Sequence, residues 1–274
     1  MNHQERFILL FPAARARRIH VFMVGCGAIG SWLGIMLAKM GIEKFIIVDS
    51  DRVEPENIGV SAYDRSYLYS PKVEALRELI QLHGNEGVEV EVDTHKFTRY
   101  WEIPKRCNVV IAAVDNIPTR RLLWTKFLAQ SKRVGDTPTL FIDPRMGAEA
   151  FEIAATGGGN DARKLRGWQR KSYERTFWAN EPAAPCGMAA APYTSAECAA
   201  EVAKTIRIWA DGEADLLSWQ FKDLKSATVR KGIALDGTFK PARKLAARVR
   251  KARKAPAPKR DEELVADYVP LLRR

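Results

Sequence analysis

Strand-like apolar runs occupy residues 19–24, 44–48, 88–92, 109–114 and 139–142, and helical stretches fall between several of them, at about 28–40, 71–83 and 117–131. Short buried strands that alternate with helices predict a parallel sheet joined by right-handed crossovers. Beyond Asp143 the pattern changes. Residues 147–155 read as a strand antiparallel to its neighbours. Residues 157–188 open with three glycines and then mix basic and aromatic residues without a clean period, as a long, partly mobile excursion over the site would. Thr194 to Trp209 is an Ala-rich helix with a capping sequence before it, and Leu216 to Phe221 is a further strand. The expected fold class is α/β: a Rossmann-like, mostly parallel sheet with flanking helices, an antiparallel extension after residue 145, and a flexible basic C-terminal tail. The expected division is a nucleotide-binding domain over 1–222 and a basic extension over 223–274.

Charge changes this picture in one place. The chain has 274 residues, 44 Lys or Arg against 33 Asp or Glu, and a net charge of +11. Residues 240–260 hold ten of the cations and no acid, so the rest is close to neutral. Such a segment fits a nucleic-acid backbone, an acidic partner, or a solvated tail alike. Hydrophobic content of 46% and charged content of 28% suit an ordinary soluble protein. No apolar run has the length of a membrane span and no signal-peptide pattern opens the chain, so a cytoplasmic protein is expected. The cysteines Cys26, Cys107, Cys186 and Cys198 are too dispersed for a disulfide framework, and no Cys-x-x-Cys pair is present for structural zinc.

The candidate chemistry sits where the predicted strands end. The first runs into Gly25-Cys26-Gly27-Ala28-Ile29-Gly30. Gly25 permits the tight turn, Gly27 lets a phosphate approach the backbone, Gly30 lets the helix pack on the sheet, and the first helical N–H groups, at Ala28 and Ile29, face the anion. The second strand ends at Asp49, where a carboxylate can accept hydrogen bonds from a ribose. Those features fit NAD and ATP equally. Residues further along the chain separate the two: Asp51, then Glu54-Pro55-Glu56-Asn57, then Pro71-Lys72 opening a helix, then Asp115-Asn116 with Arg120 five residues beyond the aspartate. Taken singly, Asp49 could merely end a strand, Lys72 could be a solvated first-turn lysine, and Asp115-Asn116 could be a helix-opening turn.

This ordered set resembles the ThiF/MoeB/HesA family, the bacterial relatives of the ubiquitin-activating enzymes, over about residues 19–155 and more loosely over 194–210. The resemblance implies ATP with magnesium, and an adenylyltransferase that activates a carboxylate as an acyl-adenylate. Its substrate would be the C-terminus of a small ubiquitin-like or sulfur-carrier protein. It implies Asp49 for the ribose, Lys72 for the phosphates, Asp115 for magnesium, and Asn57, Asp51, Asn116 and Arg120 around the nucleotide. It also implies a homodimer. The sequence departs from the family in three ways. Val60 stands where an arginine is usual, with Arg52 and Arg65 as nearby replacements. The arginine donated across the dimer has only Arg6, Arg15, Arg17 and Arg18 as candidates. The two zinc-binding Cys-x-x-Cys pairs are missing, so no zinc is expected. Cys186, in Ala184-Pro185-Cys186-Gly187, is the candidate nucleophile for a thioester or persulfide, set against the commoner role of an unreactive small residue.

Three other functions remain open on the sequence. The same family includes an ATP-dependent dehydratase that modifies an adenosine of tRNA, which the basic segment would suit. The departure at Val60 suits a nucleotide-binding scaffold without catalysis. An NAD-dependent oxidoreductase leaves Lys72 and the Asp-Asn…Arg element without work, and His3, His20, His83 and His95 lie away from the strand ends.

Overall fold

A computed structural model describes residues 7, 10–134, 139–158, 173–174, 190–211 and 219–232. Eight strands form one mixed sheet: β1 (His20–Val24), β2 (Lys44–Val48), β3 (Glu89–Asp93), β4 (Val109–Ala112), β5 (Thr139–Met146), β6 (Ala150–Gly158), β7 (Trp219–Asp223) and β8 (Thr228–Gly232), in the spatial order β3-β2-β1-β4-β5-β6-β7-β8. The first five pair in parallel, and β5 to β8 pair antiparallel. The α/β class and the antiparallel extension are as the sequence pattern predicts.

The helices are α1 (Ala13–Ala16), α2 (Ala28–Lys39), α3 (Pro55–Ile58), α4 (Lys72–His83), α5 (Ile117–Arg133) and α6 (Pro192–Ala210). Alternation along each strand sends its side chains into two separate cores. Val21, Met23, Ile47, Ile111 and Ile142 pack with Leu33, Leu76, Ile80 and Val202 from α2, α4 and α6. Phe22, Val24, Val48, Val110 and Phe141 pack with Leu123, Trp124 and Phe127 from α5. Burial on both faces is why the central strands read as unbroken apolar runs. The edge strand β3 reads differently. Its Val90 and Val92 lie against the first core, while Glu91 binds Arg106 at 2.6 Å and Glu89 pairs with Lys44. Acids on an edge discourage pairing with another chain.

The sheet continues past residue 222, where the sequence pattern placed the start of the basic extension. β8 was not predicted because Thr-Val-Arg-Lys-Gly carries no apolar run; its place comes from pairing with β7. The turn between them is held by Asp223, whose carboxylate accepts the Lys225 N–H at 3.0 Å and the Ser226 hydroxyl at 2.6 Å. The basic segment 240–260, and most of 157–188, lie outside the described residues. No described helix is long and apolar enough to cross a membrane.

Candidate functional site

The carboxyl ends of β1, β2 and β4 bring the glycine turn, Asp49 and Asp115 to one rim of the sheet. Such a rim is where open α/β sheets bind ligands. Gly25 adopts φ +98, and a Cβ there would lie 2.3 Å from the Ala113 carbonyl oxygen. Only glycine fits that approach. Gly27 is different. A Cβ on it would meet nothing within 4 Å, so the backbone there faces open space. α2 starts at the next residue and has no side-chain cap. Its first N–H groups are therefore placed for an anion, as a phosphate cradle requires.

Asp49 anchors the turn from below. Its Oδ2 accepts the Cys26 N–H at 2.6 Å and its Oδ1 accepts the Asp51 N–H at 2.9 Å. Burial nonetheless pushes its carboxyl above the ordinary aspartate value, against those bonds and the nearby Lys72 charge. Lys72 opens α4 with its side chain largely buried, and its ammonium rests 3.2 Å from Asp51 Oδ2. Asp51 is largely exposed, so this is a half-solvated pair whose lysine a more highly charged anion can claim.

Asn57 caps α3 rather than reaching outward: its Oδ1 accepts the Glu54 N–H at 3.0 Å. Asn116 caps α5 through a 2.9 Å bond from the Thr119 N–H, and its amide donates to Asp115 Oδ1 at 3.2 Å. Asp115 itself is exposed at the rim. Among the described residues no group of three or more His, Cys, Asp or Glu is set to hold a metal. A single rim carboxylate still suits magnesium, which commonly takes one or two carboxylates and completes its shell with phosphate oxygens and water.

Arg120 is placed inward. It is buried and pairs with Asp143, while donating to the carbonyls of Ala112 at 3.3 Å, Pro144 at 3.1 Å and Val114. As placed, it supports the β4–α5 turn; its expected contact with nucleotide finds no support in this geometry. Asp143, missed in the sequence, is fully buried and also accepts from Arg145 Nε at 2.9 Å and the Tyr173 hydroxyl at 2.8 Å. The signal available was an acid directly after Leu-Phe-Ile in a buried strand, which demands a cation. Tyr63 was also missed; nothing in its sequence neighbourhood marks it.

Of the arginines offered for the position of Val60, Arg52 donates to the Tyr69 carbonyl at 2.7 Å, whereas Arg65 is exposed and its side chain has no partner among the described residues. Arg15 pairs with Asp211, and Arg17 lies 3.6 Å from Glu43. Arg6 and Cys186 lie outside the described residues. Cys26, Cys107 and Cys198 are buried and free, and burial raises all three thiols, Cys107 to about 12.

Fold and site together define a Rossmann-like α/β protein with an open glycine turn at the start of α2 and an acid-tipped neighbouring strand. The chain belongs to the ThiF family, whose signature it matches over residues 7–143. Ubiquitin-like modifier-activating enzyme 5 of Caenorhabditis elegans is 37% identical over 94 residues, which is 34% of this chain and 22% of that protein. Adenylyltransferase and sulfurtransferase MOCS3-1 of Zea mays is 31% identical over 110 residues, 38% of this chain and again 22% of the relative. The chain thus covers about a fifth of these curated relatives. Among solved structures, E. coli MccB with ATP superposes with a TM-score of 0.63 over 86% of this chain and 73% of MccB, at 14% identity. PaaA gives 0.59 over 81% of this chain and 66% of PaaA, at 15% identity. At that identity the likeness concerns the fold.

Proposed function

We propose that the chain is an ATP-dependent adenylyltransferase that activates a carboxylate, at the C-terminus of a small ubiquitin-like or sulfur-carrier protein. The observation that carries the reading is the convergence of the open backbone at Gly27, the Lys72 ammonium and the Asp115 carboxylate on one strand-end rim, in a member of the ThiF family. The names of the worm and maize relatives support an activating or adenylyltransferase role, and an MccB structure with ATP supports the nucleotide.

On this reading a carboxylate oxygen of the carrier attacks the α-phosphorus of ATP. The bond from that phosphorus to the bridging oxygen breaks, pyrophosphate leaves, and an acyl-adenylate remains. Magnesium, held by Asp115, would neutralise phosphate charge. This chain's own residues do the positioning: N–H groups at the start of α2 and the Lys72 ammonium take phosphate charge, and Asp49 accepts from the ribose. Fixed dipoles and cations of this kind supply most of the catalysis in such transfers. Cys186 would receive the carrier afterwards if a thioester forms. The working form would be a cytoplasmic homodimer, which sedimentation equilibrium checks.

The test is ATP–pyrophosphate exchange with candidate carriers ending in glycine. Exchange that appears only with a carrier supports the reading; tight ATP binding without exchange on any carrier returns the scaffold reading, which Val60 favours.

A further inference from the structure

The Tyr63 hydroxyl closes a ring of polar contacts around the phosphate side of the site. The Cys26 N–H donates to Asp49, and Asp49 accepts the Asp51 N–H. The Asp51 carbonyl accepts the Lys72 N–H at 2.9 Å, and the Asp51 carboxylate pairs with the Lys72 ammonium. From the far side, the Tyr63 oxygen lies 2.6 Å from the Cys26 carbonyl oxygen and 3.1 Å from that of Lys72. Cys26 belongs to the glycine turn, Asp49 and Asp51 follow β2, and Lys72 begins α4. Among the described residues, the Tyr63 side chain is the one that hydrogen-bonds to both the turn and the start of α4.

Tyr63 is 3% exposed. A phenol has one proton, and both neighbours are carbonyl oxygens, so it can only donate: chiefly to Cys26, with Lys72 as the longer branch. Burial raises its ionisation well above the ordinary range, so the proton stays in place at every working pH. Without the hydroxyl, the carbonyl between Gly25 and Gly27 loses a donor in a place closed to water, and the tie between turn and helix is gone.

The geometry points to Tyr63 as a positioning residue that sets the spacing between the glycine turn and the first turn of α4, so that the open backbone at Gly27 and the Lys72 ammonium meet one triphosphate. This rests on the nucleotide reading above and adds the group that fixes the cradle. The hydroxyl donates to the carbonyls of Cys26 and Lys72 and makes no bond to Asp49 itself, whose carboxylate is held by the N–H groups of Cys26 and Asp51. Its loss therefore weakens binding through phosphates only.

Calorimetry with ATP and with adenosine on the parent chain, Tyr63→Phe, Lys72→Ala and the double variant tests this. One lost hydrogen bond corresponds to roughly fivefold in affinity. The expected result is such a loss for ATP in Tyr63→Phe, adenosine affinity unchanged, and no further loss when Tyr63→Phe is added to Lys72→Ala, because the hydroxyl acts through that lysine. Equal losses for both ligands, no loss for ATP, or a full Tyr63→Phe effect in the Lys72→Ala background would each overturn it. Phe keeps the ring and its volume. Should it still fail to fold, 3-fluorotyrosine at position 63 in the otherwise unaltered chain gives a 19F resonance, expected to move with ATP and not with adenosine; the same response to both overturns the assignment. A parent chain that prefers ATP to adenosine yet shows no carrier-dependent exchange removes the adenylation reading and leaves this one standing. A parent that binds both alike removes this one.

Discussion

Arg120 pairs with Asp143 inside the protein and, with the same guanidinium, holds the Val114 carbonyl one residue before Asp115. The rim aspartate thus stands on a turn braced by a buried ion pair. Asp143 is fully buried, and Arg145 and the Tyr173 hydroxyl occupy its other oxygen. A pair like this adds little over well-packed apolar groups, but losing one partner strands a charge. Asp143→Asn should therefore cost about 3–5 kcal/mol in urea unfolding. Arg120→Lys should also destabilise, because one ammonium cannot reach the carboxylate and three carbonyls together. A loss under about 1 kcal/mol in both variants contradicts the bracing role.

The rim groups should separate by what they bind. Lys72→Ala removes a charged contact to phosphate and should weaken ATP by roughly 10- to 100-fold. Asp115→Ala should leave metal-free ATP binding intact and erase the gain that magnesium brings. Titrating ATP with and without magnesium reads both. Properly folded variants that bind magnesium–ATP as the parent does remove the nucleotide assignment of these residues.

How much of this could be read in the sequence depended on whether a residue acts through its neighbours in the chain or across the fold. The parallel core was legible, since Val21 to Val24 and Val109 to Ala112 are buried on both faces and so apolar throughout. The glycine turn was legible because Gly25 and Gly30 face backbone that admits no Cβ. β8 was not, because pairing with β7 and not hydrophobicity defines it. α1 and α3, of four residues each, are too short to carry a period. The Asp143 partner of Arg120 was missed for a related reason. The arginine's spacing from Asp115 was visible, but whether a guanidinium turns out to a ligand or in to an acid depends on Asp143, 23 residues away on β5. Tyr63 belongs to the same kind: its partners are backbone carbonyls 37 and 9 residues away.

Val60 leaves a gap that can be filled. Its backbone is held, since its carbonyl accepts the Ser195 hydroxyl at 2.6 Å and its N–H donates to the Asn57 carbonyl at 3.2 Å. The side chain is half-buried, so exchange there should spare the fold. Val60→Arg should tighten ATP by several-fold, because one added charged hydrogen bond is worth about 1.5–3 kcal/mol before the cost of ordering the side chain. Arg65→Ala should weaken ATP more than Arg52→Ala, because Arg52 already serves the Tyr69 carbonyl. The reverse ranking would move the compensating cation to Arg52.

Thiol chemistry should ignore three of the four cysteines. A thiol reacts as its thiolate, and burial holds Cys107 at about 12 and places Cys26 and Cys198 far above the ordinary value. In the folded chain at mildly alkaline pH, iodoacetamide should leave all three unmodified, as mass spectrometry of the digest will show. A carrier thioester, if one forms, should then vanish in Cys186→Ser. Its persistence there, or fast labelling of Cys26, overturns this assignment.

Asp49 gives the chain a pH signature whose sign can be worked out. Burial raises its carboxyl above the ordinary 3.8, with the N–H groups of Cys26 and Asp51 and the Lys72 charge only partly opposing. Between the unfolded value and the raised folded value, the native state holds the proton that the unfolded state has released. Stability changes with pH as the unfolded minus the native proton count, so this group's contribution falls as pH rises through that window and is level above it. Asp49→Asn cannot titrate there. It also sets an amide NH2 against one of two backbone donors, because both carboxylate oxygens accept N–H groups, so the variant should be the less stable throughout. The gap between parent and variant in urea unfolding should therefore be widest in acid and narrow toward neutral pH. A gap that widens with rising pH would show that the two N–H bonds and Lys72 outweigh burial, and that the carboxylate is held in its charged form before any ribose arrives.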